Sequence, residues 1–422
     1  MKIKIGVVGL GYVGLPLAVA ASTAFKTIGF DINERRVAEL SKGQDYTGEI
    51  NSDDLSMAQN LSFTSSSSDL KNINFYIIAV PTPVDKLNKP DLTPLIRASE
   101  LLGAVISKGD YVVFESTVYP GATEEDCIPV IEKYSGLTAG RDFFFGYSPE
   151  RINPGDKVHR LTDIKKIVSG CSSKSLSVIA DVYRKFIKAG VHEASSIKVA
   201  EAAKVVENIQ RDTNIALMNE LSQIFNVLKI DTKEVIEAAS TKWNFMRYTP
   251  GLVGGHCISV DPYYLTHKAV NHGYIPDIIM TSRKINEAMS SYLGEKIISL
   301  MVKKKINFSS ARVLIAGFSF KEDCPDIRNT KIADLVKHLK DEFDISIDIY
   351  DPLVDSDEVF NSYGLRLTEE LPLNTYDCLV LAVPHAKLLE KNCSILKGAC
   401  KDKCIIIDVK SALKITDSDF RL

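Results

Sequence analysis

Residues 4–14 read Lys4-Ile5-Gly6-Val7-Val8-Gly9-Leu10-Gly11-Tyr12-Val13-Gly14. A short apolar run, Lys4–Val8, leads into glycines spaced as G-x-G-x-x-G. An alanine-rich segment, Leu15–Ala24, follows, and a second apolar run, Thr27–Phe30, ends at Asp31. The runs predict buried strands and the segment between them a helix. In such a strand–turn–helix unit Gly9 permits the tight turn, Gly11 lets a pyrophosphate approach the backbone, and Gly14 permits close helix packing. The helix N-terminus offers free N–H groups and a positive dipole end to phosphate. A carboxylate at Asp31 can accept hydrogen bonds from ribose hydroxyls and repels a 2′-phosphate. The expected dinucleotide is therefore NAD rather than NADP.

Further strands are expected at Asn74–Val80 (NFYIIAV) and Tyr111–Glu115, each followed by a loop containing Thr or Pro. This alternation predicts an α/β, doubly wound parallel sheet over residues 1–195. From Ser196 the pattern changes. Ile197–Leu228 lacks Pro and Gly and carries apolar residues at helical spacing, and Ile278–Lys303 reads likewise. These predict a helical middle domain, residues 196–305, with a long central helix. The last third repeats the first. Ala311–Gly317 (ARVLIAG) parallels Ile3–Gly9, Ile345–Asp351 parallels Lys26–Asp31, and Tyr376–Pro384 (YDCLVLAVP) parallels Asn74–Pro81 (NFYIIAVP). The expected fold is thus two Rossmann-like domains, the second over 306–422, joined by the helical one, with two nucleotide ligands.

The chain has 422 residues, too many for one ordinary core. Apolar content of 45% and charged content of 25% are those of a soluble globular protein. A net charge of −3 gives no reason to expect nucleic-acid binding. No apolar run reaches membrane-span length, and Lys2–Leu10 reads as a strand rather than a signal peptide. The eight cysteines are scattered without a CxxC pair. A disulfide framework or a metal site is not expected, and most cysteines should be core residues in a reducing cytoplasm.

Gly254-Gly255-His256-Cys257, followed by Asp261, departs from that background. Glycines beside a cysteine clear space for a substrate, and a thiolate can attack an aldehyde, hold it as a thiohemiacetal and pass through a thioester to an acid. By composition alone, a buried structural cysteine is the commoner case. At the start of the long helix Lys204, Asn208 and Arg211 lie at i, i+4 and i+7 and share a face. A cation and an amide there can stabilise an oxyanion; a solvated polar stripe has the same spacing.

Six segments in order resemble the UDP-glucose/GDP-mannose dehydrogenase family: Gly9–Leu15 (GLGYVGL), Glu115–Gly121 (ESTVYPG), Tyr147–Gly155 (YSPERINPG), Glu201–Asn208 (EAAKVVEN), Gly254–Asp261 (GGHCISVD) and Gly317–Asn329 (GFSFKEDCPDIRN). The resemblance implies a four-electron oxidation of a sugar C6 alcohol to an acid, consuming two NAD and one water. It implies Cys257 as nucleophile and Lys204 as acid/base or oxyanion stabiliser, with Asn208 assisting. Asp261 and Thr117 would position the water, and Glu150 would act as base in thioester hydrolysis. It implies NAD contacts from Gly9, Gly11, Tyr12, Val13, Gly14, Asp31, Arg36, Thr82, Thr117 and Arg328. Sugar-nucleotide contacts would come from Arg151, Ile152, Lys204, Asn208, Arg211, Gly251, Lys321 and Lys410. Pro149–Gly155 replaces the PEFL-type segment of the UDP-glucose branch, and Thr249-Pro250-Gly251 and His256 depart with it. These resemble the branch that acts on UDP-N-acetylglucosamine or its galacto epimer for surface polysaccharides such as capsule or lipopolysaccharide. A cytoplasmic homodimer is implied, paired through the middle domain. UDP-N-acetylmannosamine or UDP-glucose as the substrate, a dehydrogenase that stops after one oxidation, and a non-catalytic nucleotide-sugar-binding regulator on the same scaffold are the competing readings.

Overall fold

The computed structural model describes residues 2–85, 87–152, 160–256, 258–307 and 310–422, apart from the side chain of Asn392. Cys257, and the Asn153–Gly155 end of one family-like segment, therefore lie outside the described residues. Contacts group the chain into two compact units: Met1–Glu207 with Tyr263–Ile275, and Asn208–Pro262 with Pro276–Leu422.

The first unit is built on strands β1 (Lys4–Val8), β2 (Lys26–Phe30), β3 (Leu61–Thr64), β4 (Phe75–Ile78), β5 (Tyr111–Phe114) and β6 (Phe144–Tyr147). They form one parallel sheet in the order β3-β2-β1-β4-β5-β6. This is the doubly wound dinucleotide-binding order, with its reversal beside β1. Side chains alternate between two cores, as a strand's two-residue period requires. Ile5, Val7, Phe75, Ile77, Tyr111 and Val113 face one, while Val8, Tyr76, Ile78, Val112 and Phe114 face the other. Both faces are covered, which is why these strands read as unbroken apolar runs. A short parallel pair, β7 (Lys166–Val168) and β8 (Val191–Glu193), completes the unit.

The second unit carries a parallel sheet of β9 (Arg312–Ala316), β10 (Ser346–Tyr350), β11 (Tyr376–Leu381), β12 (Cys400–Asp408) and β13 (Phe420–Arg421) in the order β10-β9-β11-β12-β13. The repeat read from the sequence is present in the hydrogen bonding. Gly9 N–H donates to Phe30 O at 2.8 Å, and Gly317 N–H donates to Tyr350 O at 2.8 Å. Ala79 N–H donates to Val8 O, and Ala382 N–H to Ala316 O. Gly9 (φ +93°) and Gly317 (φ +92°) both adopt left-handed backbone, and a Cβ on either would strike the Ala-Val segment beside it: Ala79 O at 2.7 Å or Val383 Cβ at 2.5 Å. Only glycine satisfies both demands.

The long helix spans Ile197–Leu228, as its Pro- and Gly-free run predicts, and a second helix spans Asp277–Lys303. The division between the units falls inside the long helix, after Glu207. Within the second unit the two helices share a buried polar network. Arg283 Nη1 donates to Asp212 at 2.7 Å and Asn286 Nδ2 to Asp212 at 2.8 Å, while Asn219 Nδ2 donates to Asn286 Oδ1. Asn219 also exchanges two hydrogen bonds with the backbone of Gly251, at 2.8 and 3.0 Å. The loop before the Gly254-Gly255 pair is thereby tied to the long helix. Among the described residues no helix is long and apolar enough to cross a membrane.

A Cβ on Gly14 would lie 1.8 Å from Gly9 O, whereas one on Gly11 meets nothing within 4 Å. Gly14→Ala is expected to lower unfolding free energy by about 1–3 kcal/mol in urea titrations. Gly11→Ala should stay within about 0.5 kcal/mol of wild type and instead weaken dinucleotide binding, measured by calorimetry.

Candidate functional site

The glycine turn joins β1 to the helix Gly14–Ser22, whose N-terminus has no side-chain cap; Leu15 and Leu17 N–H donate to Gly11 O and Val13 O, and Pro16 carries no N–H. Tyr12 and Val13 sit half-buried in the turn, and Thr82 is buried in the loop after β4. Asp31 braces the turn, since its Oδ2 accepts from Leu10 N–H at 2.8 Å. Arg36 is buried: Nε donates to Leu10 O at 3.0 Å, Nη2 pairs with Asp45 at 2.7 Å, and the guanidinium lies over Tyr46. Its Nη1 is buried without a hydrogen-bond partner among the described residues. Open space over Gly11, a ribose-type acceptor at Asp31 and an unsatisfied cationic donor behind the turn fit a dinucleotide.

Glu150, predicted as a base, lies just past β6 and is buried. Its Oε1 accepts from the N–H groups of Arg151 (2.5 Å) and Ile152 (2.6 Å), and its Oε2 accepts from Lys166 Nζ at 2.9 Å. Lys166 Nζ also donates to Glu115 Oε2 at 2.5 Å, and Tyr183 O–H donates to Glu115 Oε1 at 2.5 Å. Glu115, Lys166 and Tyr183 are each at most 1% exposed. Burial pushes the Glu115 carboxyl up to about 7, against the opposing pull of Lys166. Thr117 follows Glu115 by two residues and is half-buried. Arg151 is held at both ends of its guanidinium, by Lys165 O at 2.7 Å and Glu207 at 2.8 Å, and Ile152 packs on the sheet core. Glu201, at the start of the long helix, accepts from Gly121 N–H (2.5 Å) and Thr123 N–H (3.0 Å).

In the long helix Lys204 and Asn208 are buried on successive turns, but Arg211 is exposed, so the predicted shared face is only partly withdrawn from solvent. Asn208 Nδ2 donates to Asp261 Oδ2 at 2.5 Å, bringing together two residues 53 positions apart in the chain. The expectation that Gly254 and Gly255 open a path to the neighbouring sulfur is corrected by their contacts. A Cβ on Gly254 would lie 2.7 Å from Asn329 O, and one on Gly255 (φ +86°) would lie 2.9 Å from the Phe320 ring. The glycines let the 320–330 loop close onto them. Gly255 N–H donates to Arg328 O, and Asn329 Nδ2 donates to Gly255 O. Arg328 forks onto Asp326 through Nε and Nη2. Burial, then the Arg328 charge, lowers the His256 imidazole below its ordinary value, so that ring is neutral at pH 7. Lys321 and Lys410 line one cavity with Gly254, Ser319 and Phe320, and a Cβ on Gly251 would meet Lys410 Nζ at 2.7 Å. Three predicted sugar-nucleotide contacts are therefore neighbours.

Sequence reasoning missed Lys166, Glu115, Tyr183, Glu201 and Asn219. The legible signals were slight: Glu115 and Glu201 each open a family-like segment, and Lys166 is a lone cation in the short strand Lys166-Ile167-Val168.

Three models of one family match the chain. The NAD-binding domain of the UDP-glucose/GDP-mannose dehydrogenase family matches residues 3–187, its central domain 198–288, and its UDP-binding domain 314–415. The chain is 52% identical to a UDP-N-acetyl-D-glucosamine 6-dehydrogenase of Salmonella typhi, over 100% of this chain and 99% of that one. It is 52% identical to Protein CapL of Staphylococcus aureus, over 98% and 97% respectively. Among solved structures, a UDP-D-ManNAc dehydrogenase from Pyrococcus horikoshii superposes with a TM-score of 0.88 at 30% identity, covering 99% of this chain and 98% of that one.

Glu115 in the folded chain titrates near 7 rather than 4.5, so folding favours its neutral form. The stability it contributes is full below about pH 4.5 and is lost as pH rises through about 7. The thermal midpoint of Glu115→Gln is expected to fall less than that of wild type across this window, read by calorimetry at fixed ionic strength.

Proposed function

We propose, since this chain belongs to the UDP-glucose/GDP-mannose dehydrogenase family, that it oxidises the C6 hydroxymethyl of UDP-N-acetylglucosamine to the carboxylate in two NAD-dependent steps. The observation that carries the substrate is full-length identity of 52% to a UDP-N-acetyl-D-glucosamine 6-dehydrogenase, against 30% to the solved UDP-D-ManNAc dehydrogenase. When bound, NAD accepts hydride from the sugar carbon. The chain's own residues do the rest. The glycine turn and the uncapped helix N-terminus hold the pyrophosphate, and Asp31 accepts from the ribose. Lys321 and Lys410 meet the charge of the sugar nucleotide's diphosphate.

Lys204 takes the alcohol proton or stabilises the oxyanion, with Asn208 donating beside it. Asp261, anchored by Asn208, orients water together with Thr117. The Cys257 thiolate adds to the aldehyde carbon to form a thiohemiacetal. Loss of hydride leaves a thioester, and water releases the acid and the thiol, with Glu150 as the base. Two hydrides leave, one water oxygen enters, and the sulfur is regenerated. Arg211 and Arg151 supply further polar contacts to the substrate in this reading, and Arg328 contacts NAD.

The reading also includes a homodimer in the cytoplasm. In the second unit the long helix leaves Leu217, Ile224, Val227 and Leu228 exposed at helical spacing, with Val227 81% exposed, and Trp243 nearby in sequence is 92% exposed. A second copy covering these residues accounts for an apolar stripe beyond what one core uses.

A panel of UDP-sugars with NADH detection tests the reaction: about two NADH per UDP-N-acetylglucosamine are expected, with turnover at least about tenfold above UDP-glucose. Cys257→Ser should abolish acid formation; retention of full two-step turnover refutes the covalent route. Light scattering should give twice the 46.6 kDa chain mass, and Ile224→Glu with Val227→Glu should return it to the monomer value.

A further inference from the structure

The reading above assigns Glu150 to hydrolysis but leaves unexplained why a fully buried lysine is bonded to it. Lys166 bridges Glu150 Oε2 at 2.9 Å and Glu115 Oε2 at 2.5 Å. The remaining neighbours of this cluster are Tyr183 O–H on Glu115 and the N–H groups of Arg151 and Ile152 on Glu150. Three elements thus aim charged groups at one another: the ends of β5 and β6, and the start of β7, with Tyr183 reaching in from the helix Ser173–Arg184. Burying two carboxylates and one ammonium does not by itself stabilise a fold, because the desolvation of each charge offsets their attraction. The cluster also lies where a doubly wound sheet binds its ligands, outside the carboxyl ends of its strands.

We infer, on the basis of the proposed reaction, that Lys166 is a positioning residue that acts through Glu150: it fixes which oxygen of that carboxylate faces the reacting water during thioester hydrolysis. The geometry defines the division. Glu150 Oε1 has both lone pairs engaged by two amides, and the same bonds set the turn that carries Arg151 and Ile152. Oε2 has one lone pair on Lys166 and one remaining. Glu115 anchors the other side of Lys166; burial pushes its carboxyl up to about 7, so below that pH it is a neutral acceptor that leaves the cation to Glu150. The proton that Glu150 takes from water as the thioester is attacked passes to the departing Cys257 thiolate, and Glu150 ends the turnover as it began.

The test pairs the first-turnover NADH burst with steady-state kcat, using UDP-N-acetylglucosamine and NAD, for wild type, Lys166→Met and Glu150→Gln. Lys166→Met is expected to lower kcat about tenfold with the burst rate and amplitude retained, the pattern also expected of Glu150→Gln, because only thioester hydrolysis uses the oriented oxygen. A purely structural lysine lowers burst and kcat together, and that result overturns the inference, as does an unchanged kcat. Should Lys166→Met fail to fold, Lys166→Gln decides on the same two readings. A wild-type chain that forms no NADH with any UDP-sugar refutes the assigned reaction, and the inference with it.

Discussion

The carbonyl oxygen of Gly9 occupies the space where a side chain on Gly14 would begin. That contact brings the first helix down onto the end of β1 and fixes the direction in which its N-terminus points. The sheet order, with its reversal beside β1, then makes this the end of the sheet where a ligand can lie. Asp31 and Arg36 reinforce the same turn from below, one through Leu10 N–H and the other through Leu10 O. The residues expected to touch NAD are thus first of all the residues that hold the turn in shape, and preorganisation of the turn is what spares a bound dinucleotide the cost of ordering it.

The second sheet reuses the turn but finishes it differently. Gly317 is pressed against Val383 as Gly9 is against Ala79, and Asp351 accepts from Phe318 N–H and Ser319 N–H as Asp31 accepts from Leu10 N–H. At the place of Thr82, however, stands His385. Its ring is buried and shares a hydrogen bond with Asp351 Oδ2 at 3.0 Å. The acid is therefore occupied within the fold and is not offered to a ribose. Beside it, the cavity draws its cations from Lys321 and Lys410 instead. The two sheets share one architecture, and the carboxylate that follows the second strand has a different set of partners in each.

Three of the buried polar groups bear on the site. Glu115, Lys166 and Glu150 form one, Asp212 and Arg283 a second, and Asn208 with Asp261 a third. Each is costly to desolvate, and each joins segments distant in the chain. The second group ties the two long helices and, through Asn286 and Asn219, the backbone at Gly251. The third sets the orientation of Asp261. Loops that carry the proposed chemistry are in this way anchored by polar contacts that the surrounding apolar core isolates from water.

Strands β1, β2, β4, β5, β9, β10 and β11, the internal repeat and the 32-residue helix were written in local pattern: apolar runs of strand length, glycines after them, and a long stretch free of Pro and Gly; β3, β6, β7, β8, β12 and β13 were not anticipated. Local pattern suffices there because backbone hydrogen bonding and side-chain period depend on near neighbours. The reason for Gly254 and Gly255 was misread, because the atoms that fill their missing side chains come from the 320–330 loop. Lys166 passed unnoticed because its two carboxylates lie 51 and 16 residues away. Arg211 shares a helical face with Lys204 and Asn208 by spacing, yet it lies at the surface. Which groups are buried, and which charges meet, is set by the packing of distant segments, and no short-range spacing encodes it.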